Sequence, residues 1–250
     1  MIVLITGASV GFGEEMARKF VREGHRVIAT ARRMDKLQAL RAELGDKLLP
    51  VAMDVSQKAS INAALASLPA DWKEIDVLIN NAGLALGIEP AHQASLDEWE
   101  TMIDTNTKGL VTITRAILPD MVARQRGLVI NLGSVAGSNA YPGGNVYGAT
   151  KAFVDQFTRN LRSDLVGTGV RATNLAPGLC GGTEFSNVRF RGDDEAAAKV
   201  YEGTTPLTAK DIAETAYWIA TLPPHVNINK IEMMPTCQGF GPFLIKRTPA

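Results

Sequence analysis

The sequence predicts one doubly wound α/β domain over residues 1–250, a seven-stranded parallel sheet flanked by helices. Three observations predict it. Short apolar runs alternate with longer stretches of helical period. The runs lack the polar alternation of a sheet with one wet face, so both faces are buried. No internal repeat, low-complexity tract or Pro/Gly linker divides the chain, and 46% hydrophobic residues are ample for a sizeable core.

Residues 2–6, Ile-Val-Leu-Ile-Thr, are a β-rich run broken by Gly7 and read as a buried strand. Met16, Ala17 and Phe20 set a helical spacing over 13–23 that ends at Gly24. The pattern continues as strand 26–31, helix 34–44, strand 48–54, helix 56–68, strand 76–80, helix 96–108 and strand 128–132. A long helix over 145–166, strand 170–175, helix 208–221 and strand 230–234 complete it. Between Pro177 and Pro206 the rhythm fails in a stretch rich in Gly, Thr and charge, which predicts a flap over the site at 178–206; the alternative is a short helix with loose flanks.

Composition excludes several classes. Twenty-six basic side chains balance 26 acidic ones, which argues against a nucleic-acid partner. Cys180 and Cys237 make no disulfide framework and fit a reduced, cytoplasmic setting. No apolar run approaches the ~20 residues that span a bilayer, and strand-like sequence from Ile2 leaves no expected signal peptide. His25, His92 and His225 lack ligand spacing, so no metal is expected. Cys180 reads as a small filler, and Trp72, Trp99 and Trp218 as core or interface anchors. Val154, Phe157, Leu161 and Leu165 form a stripe for the core or a subunit contact.

Thr6-Gly-Ala-Ser-Val-Gly-Phe-Gly13 joins the first strand to the first helix. There the backbone must turn sharply, admit a pyrophosphate and offer helix N-terminal amides, and glycine permits all three. Gly7, Ser9, Gly11, Phe12 and Gly13 are therefore candidate dinucleotide contacts. After the second strand, Arg32 and Arg33 stand where an acidic residue would select NAD; guanidinium groups pair with a 2′-phosphate, which favours NADP. Asp54-Val55 suits the adenine, and Asn81, Ala82 and Gly83 the middle of the cofactor. Tyr147 and Lys151, four apart on one helix face, form a pair suited to moving an alcohol proton, since a nearby ammonium favours the phenolate. Ser134 is placed to hold the substrate oxygen and Asn106 to support a water chain leading from Lys151.

The set Thr6-Gly-x-x-x-Gly-x-Gly13, Asn80-Asn-Ala-Gly83, Asn106, Ser134, Tyr147-x-x-x-Lys151 and Pro177-Gly178 resembles the short-chain dehydrogenase/reductase family over nearly the whole chain. The resemblance implies a Rossmann fold, NAD(P), and a Ser–Tyr–Lys centre assisted by Asn. It makes Tyr147 the acid/base, Ser134 the polarising hydroxyl, Lys151 the group that lowers the tyrosine pKa and binds the nicotinamide ribose, and Asn106 the holder of a relay water. Pro177, Gly178 and Thr183 are implied contacts of the nicotinamide half. The stretches 81–87, 143–153 and 181–190 are similar to NADP-dependent 3-hydroxy acid dehydrogenases, which act on serine, allo-threonine and 3-hydroxypropanoate-like acids and reduce malonic semialdehyde. They also resemble bacterial sulfoacetaldehyde reductases. Cys180, Asn139-Ala140 and the tail from Thr236 depart from the pattern and leave the identity of the anion open. Arg189 is the candidate counter-charge for such a small anionic hydroxy acid or aldehyde. The resemblance also implies a homotetramer, or a dimer. A catalytically silent NADP-sensing regulator is a remote alternative, since Tyr147 and Lys151 are both present.

Replacing Arg32 by Asp together with Arg33 by Ala should raise the KM for NADP far more than that for NAD; steady-state kinetics with both cofactors checks this, and equal effects would refute the NADP assignment.

Overall fold

The computed structural model describes residues 1–240. Seven parallel strands, β1 (Ile2–Thr6), β2 (Arg26–Ala31), β3 (Leu48–Ala52), β4 (Val77–Asn80), β5 (Gly127–Leu132), β6 (Val170–Pro177) and β7 (Lys230–Met233), form one sheet in the order β3-β2-β1-β4-β5-β6-β7. The unalternating strands have a simple cause. Along β1, Val3 and Ile5 enter one core while Ile2 and Leu4 enter the other.

The first core packs α1 (Gly11–Arg22), α2 (Met34–Leu44) and α9 (Ala209–Thr221) through Met16, Phe20, Leu37, Ile212 and Ile219. The second packs α3 (Lys58–Ala66), α5 (Leu110–Ala123) and α6 (Asn145–Asp164) through Ile61, Ile113, Ile117 and Leu161. Val154, Leu161 and Leu165 are buried and Phe157 packs beside them, so the stripe on α6 is core of the protomer. Trp72 is buried and Trp99 packs beside Met102, whereas Trp218 is half exposed.

Most expected elements recur within a few residues. The helix expected at 96–108 differs: α4 (Leu96–Ile103) passes into a π turn (Asp104–Gly109) and on into α5, which periodicity did not reveal. Helix α5 carries Val111, Thr112, Ile113 and Thr114 in its first turns and Pro119 inside it. Both features disfavour an isolated helix; burial of Ile113, Ile117 and Met121 against the sheet overrides them. The flap is more ordered than its composition predicts, with α7 (Phe185–Arg189) and α8 (Asp194–Lys199) in loose surroundings. No helix among the described residues is long and apolar enough to cross a membrane.

Asn80, Asn131 and Asn174 stand in one register row across β4, β5 and β6. Asn80 donates to Thr114 of α5 and to Asn131 at 2.8 Å each, Asn131 to Thr158 of α6 at 2.9 Å, and Asn174 to Asp155 of α6 at 2.7 Å.

Phe20 is fully buried between α1, α9 and the sheet. Phe20→Ala should keep the fold but lower the unfolding free energy by ~3–5 kcal/mol, read by urea titration; a change below ~1 kcal/mol would contradict this packing.

Candidate active site

A cleft of about 1430 Å³ opens at the carboxyl ends of the strands, where ligands of open α/β sheets bind. Gly7, Ser9, Gly11 and Phe12 line its floor. Gly7 and Gly11 have φ of +67° and +60°, and a Cβ on Gly7 would lie 2.9 Å from Ala82 Cα. Helix α1 starts from Val10 with no side-chain cap, so its first amides face the cleft as an anion site. These features fit a dinucleotide pyrophosphate. Gly13 does not line the cleft. A Cβ there would stand 2.3 Å from Gly7 O, so its role is close packing behind the turn.

The two arginines after β2 divide. Arg33 forks onto Glu184 of the flap at 3.0 and 3.4 Å and reaches Ser9 Oγ at 3.3 Å. Arg32 is exposed, lines the cleft and has no ion pair among the described residues. It is the cation left open to a 2′-phosphate. Glu184 was invisible to sequence reasoning because it lies 151 positions away. Asp54 and Val55 also line the cleft, with Asp54 accepting from Ser56 N at 3.0 Å. Asn81 and Ala82 are tied to the glycine turn: Asn81 Nδ2 donates to Thr6 O at 2.8 Å, and Ala82 N to Thr6 Oγ1 at 2.9 Å.

At the other end of the cleft lie Ser134, Tyr147, Lys151, Pro177, Gly178, Thr183 and Arg189. Tyr147 is 8% exposed and Lys151 7%. Lys151 Nζ donates to Leu132 O at 2.8 Å and sits 5.8 Å from the Tyr147 ring centroid. The sequence expectation that this ammonium depresses the phenol is not met within the protein itself. Burial pushes Tyr147 up and outweighs the pull of the Ser134 hydroxyl and the Arg189 guanidinium. The same burial pushes Lys151 down to about 8. Desolvation thus drives both groups toward neutrality.

Asn106 sits in the π turn, behind the cleft wall. Its amide donates to Leu84 O at 2.8 Å and Thr150 Oγ1 at 3.1 Å and accepts from Leu84 N at 2.9 Å. Both amide hydrogens are engaged in these bonds, and the side chain pins the segment after β4 to α6. Cys180 packs against the first core and lines the cleft, and burial pushes its thiol up to about 12. Among the described residues there is no cluster of metal-ligating side chains.

Arg189, the last residue of α7, leans over the reacting end. Its guanidinium carbon lies 5.9 Å from the Tyr147 ring and 5.3 Å from the Tyr141 ring. Among the described residues it is tethered only by carbonyls, Nε to Gly87 O at 3.3 Å and an NH2 contact to Gly143 O at 3.5 Å. Neighbouring Arg191 instead takes Glu98 at 2.6 Å and Glu89 at 2.7 Å. Gln238, beyond β7, also lines the cleft, and no sequence motif marked it.

The sequence model of the short chain dehydrogenase family matches residues 1–193. The NADP-dependent 3-hydroxy acid dehydrogenase YdfG of Salmonella typhi is 63% identical over 248 residues, covering 99% of this chain and all of that protein. The serine 3-dehydrogenase of Agrobacterium fabrum is 51% identical over 245 residues, covering 98% of each. A closed form of serine dehydrogenase complexed with NADP+ superposes with a TM-score of 0.98 at 60% identity, covering 99% of this chain and all of that one.

Lys151 carries a linkage consequence. Below about 8 the amine is charged in native and unfolded chains alike, and its burial costs native stability. Between about 8 and 10.5 the native chain sheds the proton first, so the cost fades as pH rises. Lys151→Met should therefore stabilise the protein without added cofactor by ~3 kcal/mol at pH 7, with the gain shrinking toward pH 10. Denaturant titration at the two pH values checks this; an equal gain at both would contradict it.

Proposed function

Because the chain belongs to the short chain dehydrogenase family, we propose that it interconverts a small 3-hydroxy acid and its carbonyl form with NADP as hydride carrier. The substrates are of the serine, allo-threonine or 3-hydroxypropanoate type, with malonic semialdehyde as a carbonyl partner. The observation that carries the acid substrate is Arg189: a guanidinium over the Tyr147 ring, held by carbonyl oxygens and free of any carboxylate partner among the described residues. A charge so placed is matched by an incoming carboxylate.

The chain's residues then divide the work. The amides of α1 hold the pyrophosphate, Arg32 the 2′-phosphate, and Lys151 the nicotinamide ribose. When bound, NADP supplies the hydride chemistry. Arg189 anchors the acid and Ser134 holds the reacting oxygen, so the carbon is oriented before reaction. In reduction Tyr147 Oη gives its proton to the forming alkoxide; in oxidation it must first lose that proton and then takes the hydroxyl proton as the phenolate. Burial keeps the phenol protonated, the state from which it donates. The flap, with Phe185 5.7 Å from the Tyr147 ring, excludes water from the pair. The same reading carries a homotetramer, supported by exposed apolar side chains such as Phe153 on α6, 42% exposed and stacked on Phe157 at 5.9 Å.

The test is NADPH consumption with malonic semialdehyde, sulfoacetaldehyde and propanal side by side. Malonic semialdehyde should give the highest kcat/KM, and preference for the sulfonate would replace the carboxylate reading. Tyr147→Phe should lower kcat by ~10²–10⁴-fold, and an unaffected rate would refute Tyr147 as the acid/base. Arg189→Ala should cost the acid ~10–100-fold relative to propanal.

A further inference from the structure

The segment beyond β7 folds back onto the cleft. Pro235 is buried, and the Gln238 amide donates to Pro235 O at 2.9 Å, closing a turn that brings the Gln238 side chain against the backbone after β6. There Leu179 N donates to Gln238 Oε1 at 2.6 Å. Gly178 N donates to Met233 O at 2.7 Å, and Leu179 O accepts from Leu207 N at 3.0 Å. The turn Pro177-Gly178-Leu179 is thus clamped from β7, from the end of the flap and from Gln238. A Cβ on Gly178 would stand 2.2 Å from Gln238 Oε1 and 3.1 Å from Met234 Cγ. A side chain on Gly178 would displace the Gln238 amide from this position.

The orientation of the amide follows from chemistry. A main-chain N–H can only donate, so the oxygen faces Leu179 and Nε2 points away. Nε2 has no partner among the described residues, and Gln238 lines the cleft shared by Ser134, Tyr147 and Arg189. We infer that Gln238 is a positioning residue for the reaction: its carbonyl oxygen, acting through Leu179 N, holds the wall assigned to the nicotinamide, and its amide hydrogens make that wall attractive to an anionic substrate. The positioning role stands on the contacts themselves. The part concerning the anion rests on the proposed function.

Two variants separate acceptor, bulk and charge. Gln238→Met keeps the volume and loses the acceptor. Gln238→Glu keeps an acceptor for Leu179 N, loses the donors and adds a negative charge. Without cofactor or substrate, hydrogen exchange of the 177–182 peptide should quicken ~10-fold in Gln238→Met and stay near wild type in Gln238→Glu. With 3-hydroxypropanoate and propan-1-ol as paired substrates, Gln238→Met should lower kcat ~10-fold on both. Gln238→Glu should lower kcat on propan-1-ol less than Gln238→Met does and raise KM for the acid alone ~10-fold. Wild-type exchange in Gln238→Met, or equal damage by the two variants on propan-1-ol, would overturn the positioning role. An equal KM change for acid and alcohol in Gln238→Glu would overturn the contact with the anion. A wild-type enzyme indifferent to the acid would sink the proposed substrate instead, while the exchange comparison still decides whether Gln238 holds the turn.

Discussion

The row of buried asparagines at the carboxyl end of the sheet governs where the reacting groups stand. Asn131 and Asn174 reach out of adjacent strands to Thr158 and Asp155, both on the helix that bears Tyr147 and Lys151, and Asn80 ties the row to α5. All three are nearly inaccessible. Buried amides are costly unless bonded, so the helix is held at the offset where these bonds form. Apolar packing would tolerate small slips of α6 along the sheet; directional bonds do not. The satisfaction is incomplete, since Asn80 Oδ1 and Asn174 Oδ1 lack partners.

Burial also sets the electrostatics of the cleft. Ion pairs lie outside the reacting end, where exposed Arg191 meets the partly buried Glu89 and Glu98 and exposed Arg33 meets exposed Glu184. Inside, Tyr147 and Lys151 are desolvated and both drift toward their neutral forms. Arg189 stands between the two regimes, charged but bound, among the described residues, only by neutral carbonyls. Such a site has little charge of its own committed before substrate arrives, and added charges act there with less screening than at the surface. The backbone bond from Gly87 N to Arg189 O ties the flap to the loop after β4, so the position of this cation depends on flap closure.

The fold and the grouping of the candidate site residues in one cleft were legible because both leave local marks. A doubly buried strand is apolar throughout, an unsolvated turn around phosphate needs glycine, and Tyr147 and Lys151 share a helix face by spacing alone. Helix α5 escaped because its β-branched first turns and Pro119 carry the wrong local preference, which only contact with the sheet overrides. Gly13 sat in the glycine motif, yet it packs behind the turn and does not line the cleft.

By itself, then, the sequence determined the sheet, its order of layers, the glycine turn and the placing of Tyr147 and Lys151 on one helix face, all properties of residues near one another along the chain. The tertiary structure decided which arginine is free for a phosphate, which way the phenol's ionisation shifts, and that Gln238 braces a turn at Leu179. Those outcomes depend on desolvation and on partners far apart in sequence. Neither quantity exists until the chain has closed on itself.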